Sequence, residues 1–253
     1  MTWDRDGLPR GREAGARCAA RVGALLAAAA VSCGLATPPA FGNSPFPGDC
    51  VDITGGVPIG DLVGQCFVVD DKYFEIKLFQ PTGQPGAGTD QVMVFPVNLG
   101  RRDGIGFDLV GNWSDPVGGG PSGFILEYHV TVLDFNWWMI ANVLEFDGFA
   151  SGGASAANVL ETVSVDELLT IGQKEVFALA SLPGSEWVLR DELQFDPELQ
   201  LQTLVIRKEF TLFADIDGIA QASLIRQTFI QIPSPAGGLL LAMGGLAAAR
   251  RRR

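Results

Sequence analysis

Histidine is nearly absent from this chain of 253 residues, which contains His129 alone. A Ser-His-Asp or Cys-His arrangement would have to use that residue, which alternates with Glu127 and Thr131 on a predicted strand face. Such a position favours a cross-strand contact over catalysis. The sequence also lacks a G-x-S-x-G elbow, a Walker loop, an H-E-x-x-H zinc motif and a G-x-G-x-x-G dinucleotide motif. We therefore expect a protein that is not an enzyme.

Cysteine is scarce as well, with four residues and no C-x-x-C pair. Cys18 and Cys33 fall in an N-terminal leader, which leaves Cys50 and Cys66 in the body of the chain. Two cysteines and one histidine do not complete a zinc site. The separation of Cys50 and Cys66 suits a disulfide loop, and we predict that bond in an oxidising compartment.

Basic residues are few between the two ends of the chain. Outside residues 1–42 and the four terminal arginines there are nine basic and 26 acidic residues, a net charge of −17. Such a surface repels nucleic acid and anionic lipid, and it attracts cations or simply keeps the protein soluble. Asp215 and Asp217, in the sequence Asp-Ile-Asp-Gly, begin like a calcium loop but lack its later acidic ligands. Structural calcium there is the one cofactor hypothesis, and ordinary turn formation is the alternative.

The body lacks a sustained helical stripe of apolar residues. Short alternating segments separated by Gly, Pro and Asp clusters predict about a dozen strands, of which 124–133 (FILEYHVTVL) is the clearest. This pattern predicts an antiparallel β-sandwich, Ig-like or jelly-roll-like, over residues 43–231. Residues 156–163 are predicted as a strand, with a helix over 156–169 as the alternative, and 187–195 are predicted as one strand. A glycine-rich loop at 113–123 leaves two sub-lobes as an alternative.

The N-terminal leader predicts export. Residues 22–36 form an apolar segment of signal-peptide length, a signal helix preceded by arginines. Ala40 and Gly42 place small residues at −3 and −1, so we predict cleavage by signal peptidase after Gly42 and a signal peptide over 1–42. An uncleaved anchor and a lipoprotein-like cleavage box ending at Cys33 are the alternatives.

The C-terminal segment 232–253 has three parts. Pro233, Ser234 and Pro235 lead into an uncharged run over 236–249, and the chain ends in Arg250, Arg251, Arg252 and Arg253. As a helix, the fourteen apolar residues would rise about 21 Å, short of the roughly 30 Å hydrocarbon core of a bilayer. The arginines would stop transfer on the cytoplasmic side of the membrane. A plain C-terminal membrane anchor is one interpretation.

These three parts, in this order, resemble the PEP-CTERM sorting signal. Residues 150–163, 192–197, 204–210 and 220–231 are similar to the β-rich ectodomains that often precede it. The resemblance implies export, transient anchoring by the tail, and cleavage at the motif by an exosortase-type transpeptidase, in bacteria that make exopolysaccharide. Ser234 stands where the family usually has Glu. Gly237 and Gly238 are similar to the GlyGly-CTERM tail, which is the alternative family.

The functional prediction combines these features. We expect an exported cell-surface or extracellular-matrix protein with a structural or adhesive role, touching exopolysaccharide and membrane but no nucleic acid. The first alternative is a carbohydrate-binding module that presents Trp137 or Trp138 beside Phe135. The second is a glycoside hydrolase with two carboxylates in a cleft, chosen from Glu127, Asp134, Glu145 and Asp147.

Overall fold

A computed structural model of the chain describes residues 50–83, 88–115, 120–166, 169–181 and 184–234. All of them lie in one compact unit. The predicted signal peptide with Ala40 and Gly42, Pro235, the apolar run and the four arginines lie outside the described residues. Within the described ranges, no helix is both long and apolar enough to cross a membrane.

Thirteen strands and one short helix make up the described structure. In chain order they are β1 Val57–Pro58, α1 Ile59–Leu62, β2 Cys66–Val69, β3 Lys72–Thr82, β4 Met93–Asn98, β5 Ile105–Ser114, β6 Ser122–Val132, β7 Trp137–Ser151, β8 Ser155–Val165, β9 Leu169–Ser181, β10 Gly184–Val188, β11 Arg190–Gln194, β12 Thr203–Phe213 and β13 Ile219–Pro233. A 3-10 turn over Pro197–Leu199 precedes β12.

The strands form two antiparallel sheets. The six-stranded sheet has the order β1-β4-β5-β13-β7-β11, and the seven-stranded sheet has the order β10-β9-β8-β12-β6-β3-β2. Side chains from both sheets meet in one buried hydrophobic cluster. The predicted all-β architecture of two antiparallel sheets is therefore confirmed.

Strict alternation explains why these segments are strands. In β6, Phe124, Leu126, Tyr128 and Val130 are fully buried while the residues between them are half-buried. Successive side chains of a strand point to opposite faces, so one face packs in the core and the other meets solvent. An aromatic group dominates the core, with Phe74 at its centre, 5.0 Å from Phe67 and 5.2 Å from Phe107 between ring centroids.

The predicted disulfide between Cys50 and Cys66 is confirmed. It joins the first described residue to the first residue of the edge strand β2, and the backbone N–H of Val51 donates to the carbonyl of Cys66 at 2.7 Å. An edge strand is hydrogen-bonded to a neighbour on one side. The disulfide therefore holds the segment at Cys50 against β2, where backbone pairing alone would be weakest.

One segment differs from the sequence-based prediction, and another confirms it over an alternative. Residues 156–163, predicted as a strand, lie within β8, which pairs with both β9 and β12, so the alternative of a helix does not hold there. Residues 187–195 are not one strand, since β10 pairs with β9 in one sheet and β11 pairs with β7 in the other. The chain crosses between sheets at Leu189, a change of neighbours that local alternation does not encode.

The last strand reaches into the predicted sorting motif. β13 ends at Pro233, which pairs with Trp137 of β7. Ser234 is buried, and its backbone N–H donates to the carbonyl of Asn136 at 2.6 Å. The sandwich therefore includes the first two residues of the Pro-Ser-Pro motif.

Candidate functional site: a buried polar cluster between the sheets

The four carboxylates predicted as hydrolase candidates do not all meet in one place, and two of them, Glu145 and Asp147, share the outer face of one strand. Glu127 lies on β6 of the seven-stranded sheet, 3.7 Å from Arg207. Glu145 and Asp147 lie on β7 of the six-stranded sheet. Asp134 follows β6, where it accepts a hydrogen bond from Arg101 at 3.0 Å.

Glu145 and Asp147 are also engaged with neighbouring side chains, as Glu127 and Asp134 are. Glu145 accepts from Arg190 at 2.6 Å, and Asp147 accepts from the Ser223 hydroxyl at 2.6 Å. A depression of about 180 Å³ includes Asp147. Another of about 260 Å³ includes Glu127. Each depression contains one of the four acids, whereas glycoside hydrolysis needs two acting on the same bond.

The predicted sugar-binding aromatics do not present a common face. Trp137 packs against the core, and the guanidinium carbon of Arg101 lies 4.7 Å from its ring centroid. Trp138 is half-buried, whereas Phe135 is 74% exposed. Because Arg101 covers one face of Trp137, that face is closed to a stacked sugar ring.

The remaining candidates occupy turns and outer faces. Asp215 uses its carboxylate as a turn acceptor, from the backbone N–H of Ile216 at 2.8 Å and of Ala154 at 3.4 Å. Asp217 lies in the same turn. No cluster of three or more His, Cys, Asp or Glu residues suited to a metal occurs in the described part of the chain. His129 is half-buried on β6, opposite Glu75 and Val205.

The most unusual chemistry lies inside the sandwich. Five polar side chains from five strands meet between the sheets, and none is more than 3% exposed. They are Asn142 on β7 and Gln227 on β13 from the six-stranded sheet, with Glu161 on β8, Lys174 on β9 and Lys208 on β12 from the seven-stranded sheet. We call these five residues the interior cluster.

Glu161 is the centre of the interior cluster. Its Oε1 accepts from Asn142 Nδ2 at 2.7 Å and pairs with Lys174 Nζ at 3.0 Å, while its Oε2 pairs with Lys208 Nζ. Lys174 Nζ also donates to Asn142 Oδ1 at 2.6 Å. Gln227 accepts from Lys208 and donates through Nε2 to Asn142 Oδ1. Every member is thus hydrogen-bonded to another, as burial of polar groups requires.

The cluster carries one more cation than anion. Burial alone would raise the pKa of Glu161, but Lys174 and Lys208 outweigh it and the pKa falls below its ordinary value. Burial lowers the pKa of Lys174 and takes that of Lys208 to about 8, against the opposing effect of Glu161. The interior cluster is therefore a place where a lysine amine loses its proton more readily than in water.

The sequence contains a signal for these residues that composition and motifs miss. In β12, Lys208 has the same alternation phase as the buried Leu204, Ile206, Phe210 and Leu212. Glu161 likewise falls in phase with Val159 and Val163 of β8. A charged residue in the apolar phase of a strand must be paired inside the core, and that rule identifies both positions.

A second buried charge lies where β3 begins. Lys72 donates to Asp71 at 3.1 Å, and Asp71 also accepts from Gln231 Nε2 at 3.2 Å. Arg101 Nε lies 3.5 Å from the same carboxylate. Burial lowers the pKa of Lys72 to about 8, with Asp71 opposing. Lys174 and Lys208 contact a side-chain carboxamide as well as a carboxylate, whereas Lys72 is paired with the carboxylate of Asp71.

Stability is expected to rise with pH between about 8 and 10. The pKa of Lys208 and of Lys72 is about 8 in the folded protein, against an ordinary lysine value of 10.5, so in this window the unfolded chain holds protons that the folded chain has lost. Unfolding free energy from urea titrations should increase from pH 7.5 to 9.5 by about 1 to 2 kcal/mol per lysine. Lys208→Met should remove part of the increase and Lys77→Met, at an exposed position, none. A flat profile in the wild-type chain would contradict this.

Comparison with known proteins gives little further guidance. No family model and no curated protein matches this chain. Among solved structures it is similar to the enzymatically active domain of tailspike protein 4 from bacteriophage CBA120, with 15% identity and a TM-score of 0.24. The match covers 64% of this chain and 20% of that one, so this chain spans about a fifth of that structure's length. At that TM-score the likeness carries no argument.

Proposed function

We propose that the chain is an exported cell-surface or extracellular-matrix protein with a structural or adhesive role. The observation that carries the proposal is the continuity of β13 with the Pro-Ser-Pro motif, the apolar run and the terminal arginines. In this proposal the sandwich, Ig-like or jelly-roll-like in type, is the part displayed outside the cell. Signal peptidase and an exosortase-type transpeptidase are its processing partners.

The position of β13 suits attachment through the tail. β13 lies inside the six-stranded sheet, paired with β5 on one side and β7 on the other. A pull on the tail is therefore applied to a strand that is hydrogen-bonded along both edges. Pairing on both sides resists removal of a strand better than pairing on one side.

The charge of the displayed part favours a hydrated matrix over a nucleic-acid or anionic lipid surface. Its net charge of −17 repels both of the latter. Exopolysaccharide is the partner that the sorting-signal resemblance implies, and cation-bridged contact with an acidic polymer is compatible with this charge.

The buried position of Ser234 supports a processing site at or beyond that residue. Because Ser234 is buried and hydrogen-bonded to Asn136, a cut before it would require β13 to release its end. We expect the mature C-terminus at or beyond Ser234, with the four arginines removed. Mass spectrometry of the surface form from the native host measures this directly.

Substitution of the motif prolines provides the matched test. Pro233→Ala with Pro235→Ala should leave residues 250–253 on most of the protein, because a transpeptidase reads the motif as its substrate. Pro233 is exposed, so the change removes little packing. Pro197→Ala, an exposed proline in the 3-10 turn, is the control and should be processed normally. An intact arginine tail on the mature wild-type surface protein would refute the sorting proposal.

A further inference from the structure

One carboxylate oxygen in the interior cluster contacts both an amine and a carboxamide nitrogen. Glu161 Oε1 is 3.0 Å from Lys174 Nζ and 2.7 Å from Asn142 Nδ2. Lys174 Nζ is also 2.6 Å from Asn142 Oδ1, and a C=O bond of about 1.2 Å therefore places Asn142 Cγ within about 3.8 Å of the amine. A nucleophile, an electrophilic carbon and a proton carrier thus meet in one water-excluded place.

We propose that Lys174 and Asn142 join in an intramolecular isopeptide bond, with Glu161 as the group that moves the protons. The bond would connect β9 of the seven-stranded sheet to β7 of the six-stranded sheet through the centre of the sandwich. This inference rests on the described residues alone and is independent of the proposed sorting route.

The reaction balances without an oxidant or a co-reactant. Glu161 takes a proton from the Lys174 ammonium, and the neutral amine attacks Cγ of Asn142 as the C=O electron pair moves onto Oδ1. Glu161 then protonates Nδ2, the Cγ–Nδ2 bond breaks, and the carbonyl re-forms. The attacking nitrogen gives up its second proton through Glu161. An amide and an ammonium ion are the products, and Glu161 ends ionised as it began.

Asn142 Oδ1, the oxygen that gains negative charge during the attack, already accepts a hydrogen bond. Gln227 Nε2 donates to Asn142 Oδ1, so an amide N–H from the neighbouring strand faces the developing oxyanion. A positioned donor in a low-dielectric interior stabilises such charge more than water does. The backbone carbonyl of Val143 holds the same Gln227 nitrogen at 3.1 Å, which fixes the direction of the donor.

The other lysine and carboxamide pair of the interior cluster, Lys208 and Gln227, lacks a carboxylate placed to protonate the leaving nitrogen. Lys208 donates to Gln227 Oε1 and also contacts Glu161 Oε2. The Gln227 nitrogen, however, donates to Asn142 and to the Val143 carbonyl. Glu161 is therefore not placed to protonate Gln227 as a leaving group. The geometry selects Lys174 and Asn142 over Lys208 and Gln227.

Charge also favours the bond. Before the reaction one carboxylate faces two lysine ammonium groups in the dry core. Conversion of Lys174 to an amide removes one positive charge and leaves Glu161 and Lys208 as a balanced pair. Since unpaired buried charge is costly, the product state relieves the core of its excess cation. Exclusion of water also protects the new amide from hydrolysis.

Mass spectrometry of the full chain tests the proposal. Cleavage after glutamate places Asn142 in peptide 128–145 and Lys174 in peptide 168–175. We expect the denatured and digested wild-type protein to give the two peptides joined, at their summed mass less about 17 Da for lost ammonia. Recovery of both peptides separately at their unmodified masses would overturn the proposal.

Variants identify the pair and the proton carrier. Lys174→Arg and Glu161→Gln should each abolish the joined species, and cleavage at 145 and 167 still separates the two peptides in both variants. Lys72→Arg is the matched control, because Lys72 is buried beside a carboxylate and should leave the joined species unchanged. A joined species that persists in Lys174→Arg, or that instead contains Lys208 and Gln227, would refute the assigned bond.

Discussion

Glu161→Gln is expected to destabilise the protein by about 3 to 5 kcal/mol, because it removes the one carboxylate of the interior cluster, which holds two lysines. Loss of one partner of a buried ion pair leaves an uncompensated charge, and desolvation of that charge is the main cost. Lys208 loses its carboxylate whether or not Lys174 is joined to Asn142 in the wild-type chain, and where the bond forms its absence from the variant adds to the loss.

Urea unfolding at pH 7 measures the effect through the transition midpoint at unchanged slope. Glu175→Gln on β9 is the matched control, because Glu175 is exposed and the same chemical change there should cost less than about 0.5 kcal/mol. Equal effects of the two substitutions would mean that the interior cluster is accessible to water, contrary to the buried geometry.

Phe74→Ala is the second large prediction, with an expected loss of about 3 to 5 kcal/mol. Phe74 is fully buried on β3, and its ring lies within 6.3 Å, centroid to centroid, of four other aromatic rings. These belong to β2, β5, β6 and β13, so truncation opens a cavity shared by both sheets. Neighbouring rings collapse into such a space only in part, which adds a cavity cost to the lost transfer energy.

Phe149→Ala provides the same chemical change at a surface position. Phe149 lies on β7 and is 55% exposed, so its truncation should change the midpoint little. Comparison of the two variants by chemical denaturation isolates the contribution of core packing. A loss below about 1 kcal/mol for Phe74→Ala would contradict the packing described for the aromatic group.

The sequence predicted the architecture well, because alternation directly reports a strand with one buried face. The segment 124–133 shows this, since its alternate apolar residues Phe124, Leu126, Tyr128, Val130 and Val132 are buried in β6. The disulfide was also predictable, because Cys50 and Cys66 were the two cysteines left after the leader was set aside. The pairing of the strands was not predictable from the sequence. Residues 187–195 divide into two strands because one half pairs with β9 and the other with β7.

The interior cluster was missed for a related reason. A strand read alone does not name the partner of its buried polar residue, and motifs with fixed spacing do not span the 32 residues between Asn142 and Lys174. Only the packing of one sheet on the other brings the amine to the carboxamide. The phase of Lys208 within β12 would have revealed burial, but it would not have revealed the partner.

The crossing at Leu189 has a consequence for self-association. β10 and β11 follow each other in the chain, yet each forms the outermost strand of a different sheet on the same side of the sandwich. Leu193 of β11 packs against Gly172 of β9, and the backbone N–H of Glu175 donates to Asp191 at 3.1 Å, so the ribbon spans both layers. In the described part of the chain β10 and β11 thus end their sheets side by side, and pairing with another molecule on this side would occur at their outer edges.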